Sequence, residues 1–493
     1  MSYEIHADYG QQFLLPPSLE DWVPADHPVR FIRDFVAQLD LAGLGFRVRQ
    51  SPDGRPNYSS ELLLSAWLYG YLEKIRSSRK LEHACRTHLP LIWLLGMNYP
   101  DHNSLWRFWS AHRSAIRGVF RQSVLVAQQM GLVGMVVHAL DGTKLAVQAS
   151  SKGALHRNNL ESLLASVDQA IAALEAEVEA EGRTNAPSTA LPEALQEAVQ
   201  RRAAISEALA SLDEQGQNHA LPAEPDARMM KQSGGRIGWA YNAQAVVDDA
   251  HGIIVAQEVT NEAVDYQQLT PMLEQVRETT GGTAQTTVAD AGYCNTQQEI
   301  RAQREGHTVV LPEHGRQADH GDPYHKSRFT YDADTDSYTC PRGQPLHYTH
   351  TLPPRGARPP ARVYQCRACG DCPVRADCTR NHRGRTITRD AYEMHRQEQR
   401  AQRAQPHIQH LLQRRKAIIE PLFGHIKHNE GFRRWSARGL EHARAQWSML
   451  CLAVNLKTIW RTGRTDTPPA AGPVAWAAGP VARASEALTP QFA

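Results

Sequence analysis

The chain has 493 residues, room for about three domains at ~150 residues each, with 41% hydrophobic and 22% charged residues. These proportions exclude overall disorder and a coat of extreme charge. No run of eighteen apolar residues occurs, and the stretch MSYEIHADYGQQFLLPPSLEDW lacks a basic region followed by an apolar one. Neither a membrane span nor export is therefore expected, and the chain is read as cytoplasmic.

Residues 1–25 form an N-terminal segment. From 26 to 130, apolar residues recur at helical spacing in VRFIRDFVAQLDLAGL, ELLLSAWLYGYLEKI, SRKLEHACRTHLPLIWLLGM and SLWRFWSAHRSAIRGVFRQSVLVAQQM, predicting an all-α domain. The stretch Arg76 to Arg113 resembles a helix-turn-helix. In that reading Asn103 or Ser104 caps a helix carrying Trp106, Arg107, Trp109 and Arg113. An ordinary helical bundle with solvated arginines is the competing reading.

The run GMVVHALDGTKLAV changes the period to that of a strand, and a helical insertion at 152–220 follows. Leu164, Val167, Ile171, Leu174 and Val178 make one apolar stripe, and Leu195, Val199, Ile205, Leu209 and Leu212 make a second. Two antiparallel helices fit this pattern, as an arm that contacts DNA or another protomer or as an inert hairpin. Strands resume at YNAQAVVDD and GIIVAQEVT, then come a helix near DYQQLTPMLEQVRETT, strands in TTVADAGY and HTVVLPE, and late helices through QRRKAIIEPLFGHIK and GLEHARAQWSMLCLAVNLKTIW. That order is the order of an RNase H-like α/β fold over 131–464. The Pro- and Ala-rich segment 465–493 reads as a disordered tail.

Asp141 is expected to end one strand, Asp290 to end another, and Glu420 to lie on a late helix. Singly, each has a bland reading as turn former, cap or salt-bridge partner. Jointly they lie next to a basic segment: Arg380 to Arg464 holds 18 Lys and Arg against 6 Asp and Glu, although the net charge of the whole chain is only +2. Such an excess suits phosphate backbones, and carboxylates suit Mg²⁺, whose chemistry answers charge on both oxygens of a phosphodiester exchange. Nucleic acid is the expected partner.

Five of eight cysteines lie in 330–382: Cys340, then Cys366-x2-Cys369-x2-Cys372-x5-Cys378. Structural Zn²⁺ takes four ligands, so one thiol is spare. A metal-free loop of reduced thiols, or His347 or His350 in place of a thiolate, stays open. Cys85, Cys294 and Cys451 are read as buried hydrophobes. Trp435, after GFRR, is either a stacking platform for an unpaired base or a core residue.

At DHPVRFIRDFVAQLDL, GRPNYSSELLLSAWLYGYLEKIRSSRKLEHACR, WLLGMNYPDHNSLWRF, DGTKLAVQAS, YNAQAVVDDAHGIIVAQEVTN, ADAGY and IIEPLFGHIK the chain resembles the DDE transposases of bacterial insertion sequences, most closely the insertion-sequence eleven-eighty-two family. The resemblance implies an N-terminal DNA-binding domain, a core with the triad Asp141, Asp290 and Glu420 holding Mg²⁺ or Mn²⁺, and a homodimer on double-stranded DNA near the nucleoid. It also implies a phosphate clamp at Lys427; Arg415 and Lys416 on the basic helix, and Arg107 on the helix-turn-helix, are read as further phosphate contacts. The wider family pattern places Tyr and Arg seven and four residues before the Glu, whereas this chain has Gln413 and Lys416 there, beside Arg414 and Arg415. For zinc the resemblance favours Cys340, Cys369, Cys372 and Cys378, leaving Cys366 over. Asn242, Gln244 and Asp265 match family positions without an assigned role.

Overall fold

The computed structural model describes residues 18–48, 57–150, 153–182, 193–214, 216–313, 319, 321–356 and 358–465. Of the predicted tail 465–493, Thr465 ends a helix and the rest lies outside them, as does most of segment 1–25.

Among the described residues, seven helices come first: α1 (Leu19–Trp22), α2 (Pro28–Ala37), α3 (Ser60–Leu72), α4 (Ser78–Thr87), α5 (Leu89–Leu94), α6 (His102–Ala111) and α7 (Arg113–Gln129). Pro28 begins α2, where its missing N–H costs nothing. α6 is capped by Asp101, whose carboxylate accepts from Asn103 N at 2.8 Å and Ser104 N at 3.0 Å; the cap lies slightly earlier in the chain than expected. α5 sits between α4 and α6, so the short turn of a simple helix-turn-helix is absent. Trp109 is buried against Trp67 and Tyr71, whereas Trp106 and Arg107 are exposed and Trp106 stacks on His442.

β1 (Val137–Ala146) leads into a small ribbon, β2 (Leu155–His156) with β3 (His219–Ala220), that carries α8 (Arg157–Gly182) and α9 (Glu193–Glu214). Arg157 meets Asp213 at 2.6 Å and Arg202 meets Asp168 at 2.6 Å, pairs that run the helices antiparallel as expected. Leu160, Val167, Ile205 and Leu212 are its buried seam; Val199 is exposed, and the side chain of Val178 lies outside the described residues.

The central sheet adds β4 (Arg228–Lys231), β5 (Ile237–Asp248), β6 (Ile254–Thr260), β7 (Thr286–Val288) and β8 (Val309–Val310), with α10 (Leu269–Thr280) after β6 and α11 (Thr296–Arg304) after β7. β6, β5, β1, β7 and β8 lie in that order; β5 is antiparallel to β6 and β1, while β1, β7 and β8 run parallel. This arrangement is consistent with an RNase H-like fold. β4 pairs with the first residues of β5.

A second, antiparallel sheet is built from β9 (Thr330–Asp332), β10 (Ser337–Thr339), β11 (Pro345–Leu352), β12 (Ala361–Cys366) and β13 (Thr386–Asp390), with the one-turn α12 (Arg375–Cys378) between the last two. It has its own core of Phe329, Tyr338, Leu346, Tyr364, Cys366 and Ile387. α13 (Glu393–Arg403), α14 (Pro406–Gly424) and α15 (Leu440–Thr465) end the described chain.

α15 ties the molecule together. Trp447, Leu450, Cys451, Leu452 and Leu456 are buried around its circumference, because α7 and α3 cover one side and β6 the other. One hydrophobic cluster therefore runs from the N-terminal helices into the central sheet. Among the described residues no helix is long and apolar enough to cross a membrane.

Candidate active site

Asp141 lies within β1 rather than at its end, because β5 pairs with β1 from His138 through Ala146. Asp290 follows the parallel neighbour β7 and caps the short turn Ala291–Tyr293, accepting from Gly292 N at 2.7 Å. Two parallel neighbouring strands thus bring the carboxylates together. Burial first, and then the negative charge of Asp290, push the Asp141 carboxyl above its ordinary range; Gly142 N–H and Arg415 oppose this. Arg415 donates from Nη1 to Asp141 Oδ2 at 3.0 Å, so a positive charge already answers that carboxylate.

α14 supplies Arg415 and begins at Pro406, a full turn and more before the expected start. Glu420 stands exposed on this helix, beside buried Ile419. After Gly424 the helix widens into a π segment, His425–Asn429, so Lys427, seven residues after Glu420, does not keep the phase that a regular α-helix would give it. Lys427 is half-buried; burial lowers its pKa, Asp141 raises it and Lys144 lowers it further, which places this ammonium in the field of the carboxylate site. Lys416 is exposed one position beyond Arg415, and Arg414 pairs with Asp249 at 2.9 Å.

Trp435 requires a correction. It is fully buried, donates from Nε1 to Leu145 O at 3.1 Å, and packs edge-on against Phe432 and Trp447, so it is a core residue behind β1 and has no face for a base.

The feature that sequence reading left without a role is a polar knot beside Asp141. Asp265 Oδ1 accepts from Asn242 Nδ2 and Gln244 Nε2, both at 2.7 Å, and Oδ2 accepts from Lys144 Nζ at 2.6 Å. Gln244 accepts in turn from the hydroxyl of buried Tyr293. Gly142 is obligatory here: a Cβ on it would press on Gln244 and come 2.9 Å from Asp265 Oδ1. The signal was legible in principle. Asn242 and Gln244 are polar residues with buried apolar neighbours on either side in the strand, and buried amides need partners.

The five cysteines of the second sheet line one small cavity together with Arg342, Arg375 and Arg385. Cys340 Sγ accepts from Gln344 N at 3.3 Å and Cys369 Sγ from Arg385 N at 3.4 Å. Cys366, expected to be the odd thiol, is buried in the sheet core and hydrogen-bonds with Cys369. Of the other three, Cys85 and Cys451 are buried and Cys294 is partly so, giving its thiol proton to Pro312 O. Among the described residues no three His, Cys, Asp or Glu side chains stand close enough to hold an ion, in either cluster. The carboxylate pair nonetheless has the donor chemistry of a hard cation site: hard oxygen ligands whose repulsion a positive charge relieves.

Two family models match the chain. Residues 339–460, which include Glu420 and the cysteines, match a transposase DDE domain. Residues 17–111, the N-terminal helices, match a transposase domain (DUF772). The two matches show a transposase of the DDE type. Asp141 and Asp290 lie in the stretch between them. No curated protein and no solved structure matches the chain. A DDE transposase domain implies an enzyme that acts on DNA, and such enzymes generally use divalent metals.

Proposed function

We propose that this transposase binds the inverted ends of its own insertion sequence as a homodimer and cleaves and joins DNA strands through Asp141, Asp290 and Glu420. One observation carries the reading: Asp141 on β1 and Asp290 just past the parallel neighbour β7 come together, with the Asp141 carboxyl raised by burial and by Asp290, opposite the helix that bears Glu420. Mg²⁺ or Mn²⁺ held by the three carboxylates would activate the attacking oxygen and stabilise the leaving one. Without DNA, Arg415 neutralises Asp141. On DNA, its guanidinium turns to a phosphate, as Arg forks do, and frees Asp141 Oδ2 as a ligand. Lys427 acts as a point charge on the backbone near the scissile bond. Lys416 and, on the N-terminal helices, Arg107 are exposed to take phosphates further out. Glu420, exposed on α14, completes the ligand set as the DNA draws the helix and the strands together.

The test is cleavage and joining of a labelled duplex taken from the DNA flanking the gene, with Mg²⁺, with EDTA and with Glu420→Gln. Metal-dependent nicking and joining, lost in Glu420→Gln while DNA binding persists, is the expected result. Binding without cleavage by the wild type would make the protein a DNA-binding derivative, and cleavage without joining would make it a nuclease.

We infer structural zinc in the cysteine cluster, with Cys340, Cys369, Cys372 and Cys378 as ligands. Small side-chain rotations would aim the thiols into their shared cavity, where N–H donors already face two of the sulfurs. Purified protein should carry about one zinc per chain, and Cys372→Ser should lose it and loosen the second sheet. A metal-free protein whose sheet resists proteolysis as well as the metal-loaded one would refute this assignment.

A further inference from the structure

An open groove of about 1020 Å³ separates the second sheet from the catalytic core. Its lining includes Lys326, Arg355, Arg358, Arg385, Arg396 and Arg400, against the single acid Asp390. Part of that charge is neutralised locally: Arg396 pairs with Asp390 and Glu393, Lys326 with Glu393, and Arg400 with Glu313. Arg385 donates to the carbonyls of Cys378 and Tyr324 instead, which leaves its positive charge uncompensated by a carboxylate among the described residues. Arg355 and Arg358 stand exposed at the tip between β11 and β12, where each backbone N–H bonds to the other's carbonyl at 3.1 Å. The tip therefore presents two guanidinium groups to whatever enters.

The other wall belongs to the active-site loops. Tyr266, next to Asp265, lines the groove with nearly half of its surface exposed. Its carbonyl accepts from Asn295 Nδ2 at 3.1 Å, and Asn295 is five residues past Asp290 and caps α11. The groove thus starts at the loops that carry the carboxylates and ends at the arginine tip.

We propose that this groove holds the phosphate backbone of the DNA strand leaving the Asp141–Asp290 site, with Arg355, Arg358 and Arg385 on phosphates and Tyr266 against an unstacked base. The geometry suits a strand rather than a compact ligand: a large open cationic groove, an aromatic face near the chemistry, and charge that continues away from it. The second sheet is then a DNA clamp attached to the core, and the cysteine cluster braces the wall that bears Arg385. This assignment rests on the proposed strand-cleaving function.

The test is the salt dependence of binding to a random-sequence DNA duplex for wild type, Arg355→Ala/Arg358→Ala and Arg355→Lys/Arg358→Lys, with nicking of the end duplex measured in parallel. Each lost phosphate contact reduces the slope of log K against log salt by about 0.9, so the alanine pair should reduce it by about 2 and the lysine pair should restore it. An unchanged slope in the alanine pair, with or without a change in oligomeric mass, overturns the groove assignment. So does a slope lost equally in the lysine pair, because that outcome reports a damaged sheet rather than missing charge. Wild-type nicking alongside an unchanged slope refutes the groove alone, whereas absence of nicking by wild type refutes the function and leaves the slopes to score the groove.

Discussion

Asp141→Asn should reduce strand cleavage by at least about 10³-fold while leaving the fold intact. The substitution keeps the shape of the side chain and an acceptor for Gly142 N–H, but it removes the charge that a cation would use. Charge stabilisation by a bound metal is worth several kcal/mol at the transition state, and ~1.4 kcal/mol is tenfold in rate. Two opposing terms act on stability. Neutralising Asp141 relieves its repulsion with Asp290 and the cost of burying its charge, and it also deprives Arg415 of its carboxylate. The thermal midpoint should therefore stay near that of wild type. The measurement pairs single-turnover nicking with a thermal melt; a midpoint lowered by many degrees would make Asp141 a structural residue and undo the catalytic assignment.

Glu430→Ala should destabilise the fold far more than Asp141→Asn does, by about 3–5 kcal/mol. Glu430 is nearly fully buried where three parts of the chain meet. Oε2 accepts from Arg76 at 2.7 Å, Oε1 from Lys457 at 2.8 Å, and His425 lies 3.3 Å away. Removing the carboxylate leaves Arg76, in the connection between α3 and α4, and Lys457, on α15, facing each other with little water between them. Arg76→Ala should cost less, because Glu430 keeps Lys457, although it also gives up the packing of the guanidinium over Tyr71 and Phe432. Urea unfolding of the three proteins checks this order. Equal midpoints for Glu430→Ala and wild type would show that the cluster is solvated and contributes nothing to stability. The same cluster fixes the end of the π segment, so Glu430→Ala should also weaken whatever Lys427 contributes on DNA.

The polar knot around Asp265 shows how function and fold share residues. Asp265→Asn exchanges one acceptor for a donor facing Asn242, Gln244 or Lys144, each already committed as a donor to that carboxylate. Nicking should fall by about tenfold or more as Lys144 loses its fixed position on Asp265, from which its charge acts on Lys427, with a modest loss of stability of about 1–3 kcal/mol. Full activity with Lys144→Gln would separate the knot from catalysis and leave it a purely structural device.

Much of the architecture could be read directly along the chain, because local periodicity and local chemistry decide it. The helical character of residues 26–130, the antiparallel arm and the strand–strand–strand–helix order of the core follow from apolar spacing, which depends only on which face each segment must bury. The proximity of Asp141 and Asp290 follows from strand order once β1 and β7 are parallel neighbours. What sequence could not determine were matters of partners distant in the chain. Trp435 sits beside arginines in sequence, yet β1 and α15 close over it, and no local pattern distinguishes a buried indole from an exposed one. Asp141 reads as the end of a strand because Gly follows it, whereas the pairing with β5 carries the strand on and Gly142 is present because Asp265 needs its space. In a regular helix Lys427 would share a face with Glu420, but the π segment changes the phase. Arg76 and Glu430 are 354 positions apart. Composition and spacing determined which segments become helix or strand and which residue types are available for chemistry; the tertiary structure alone decided which of those residues meet, because a contact between distant segments is set by the packing of whole faces and leaves no trace in the spacing of either one.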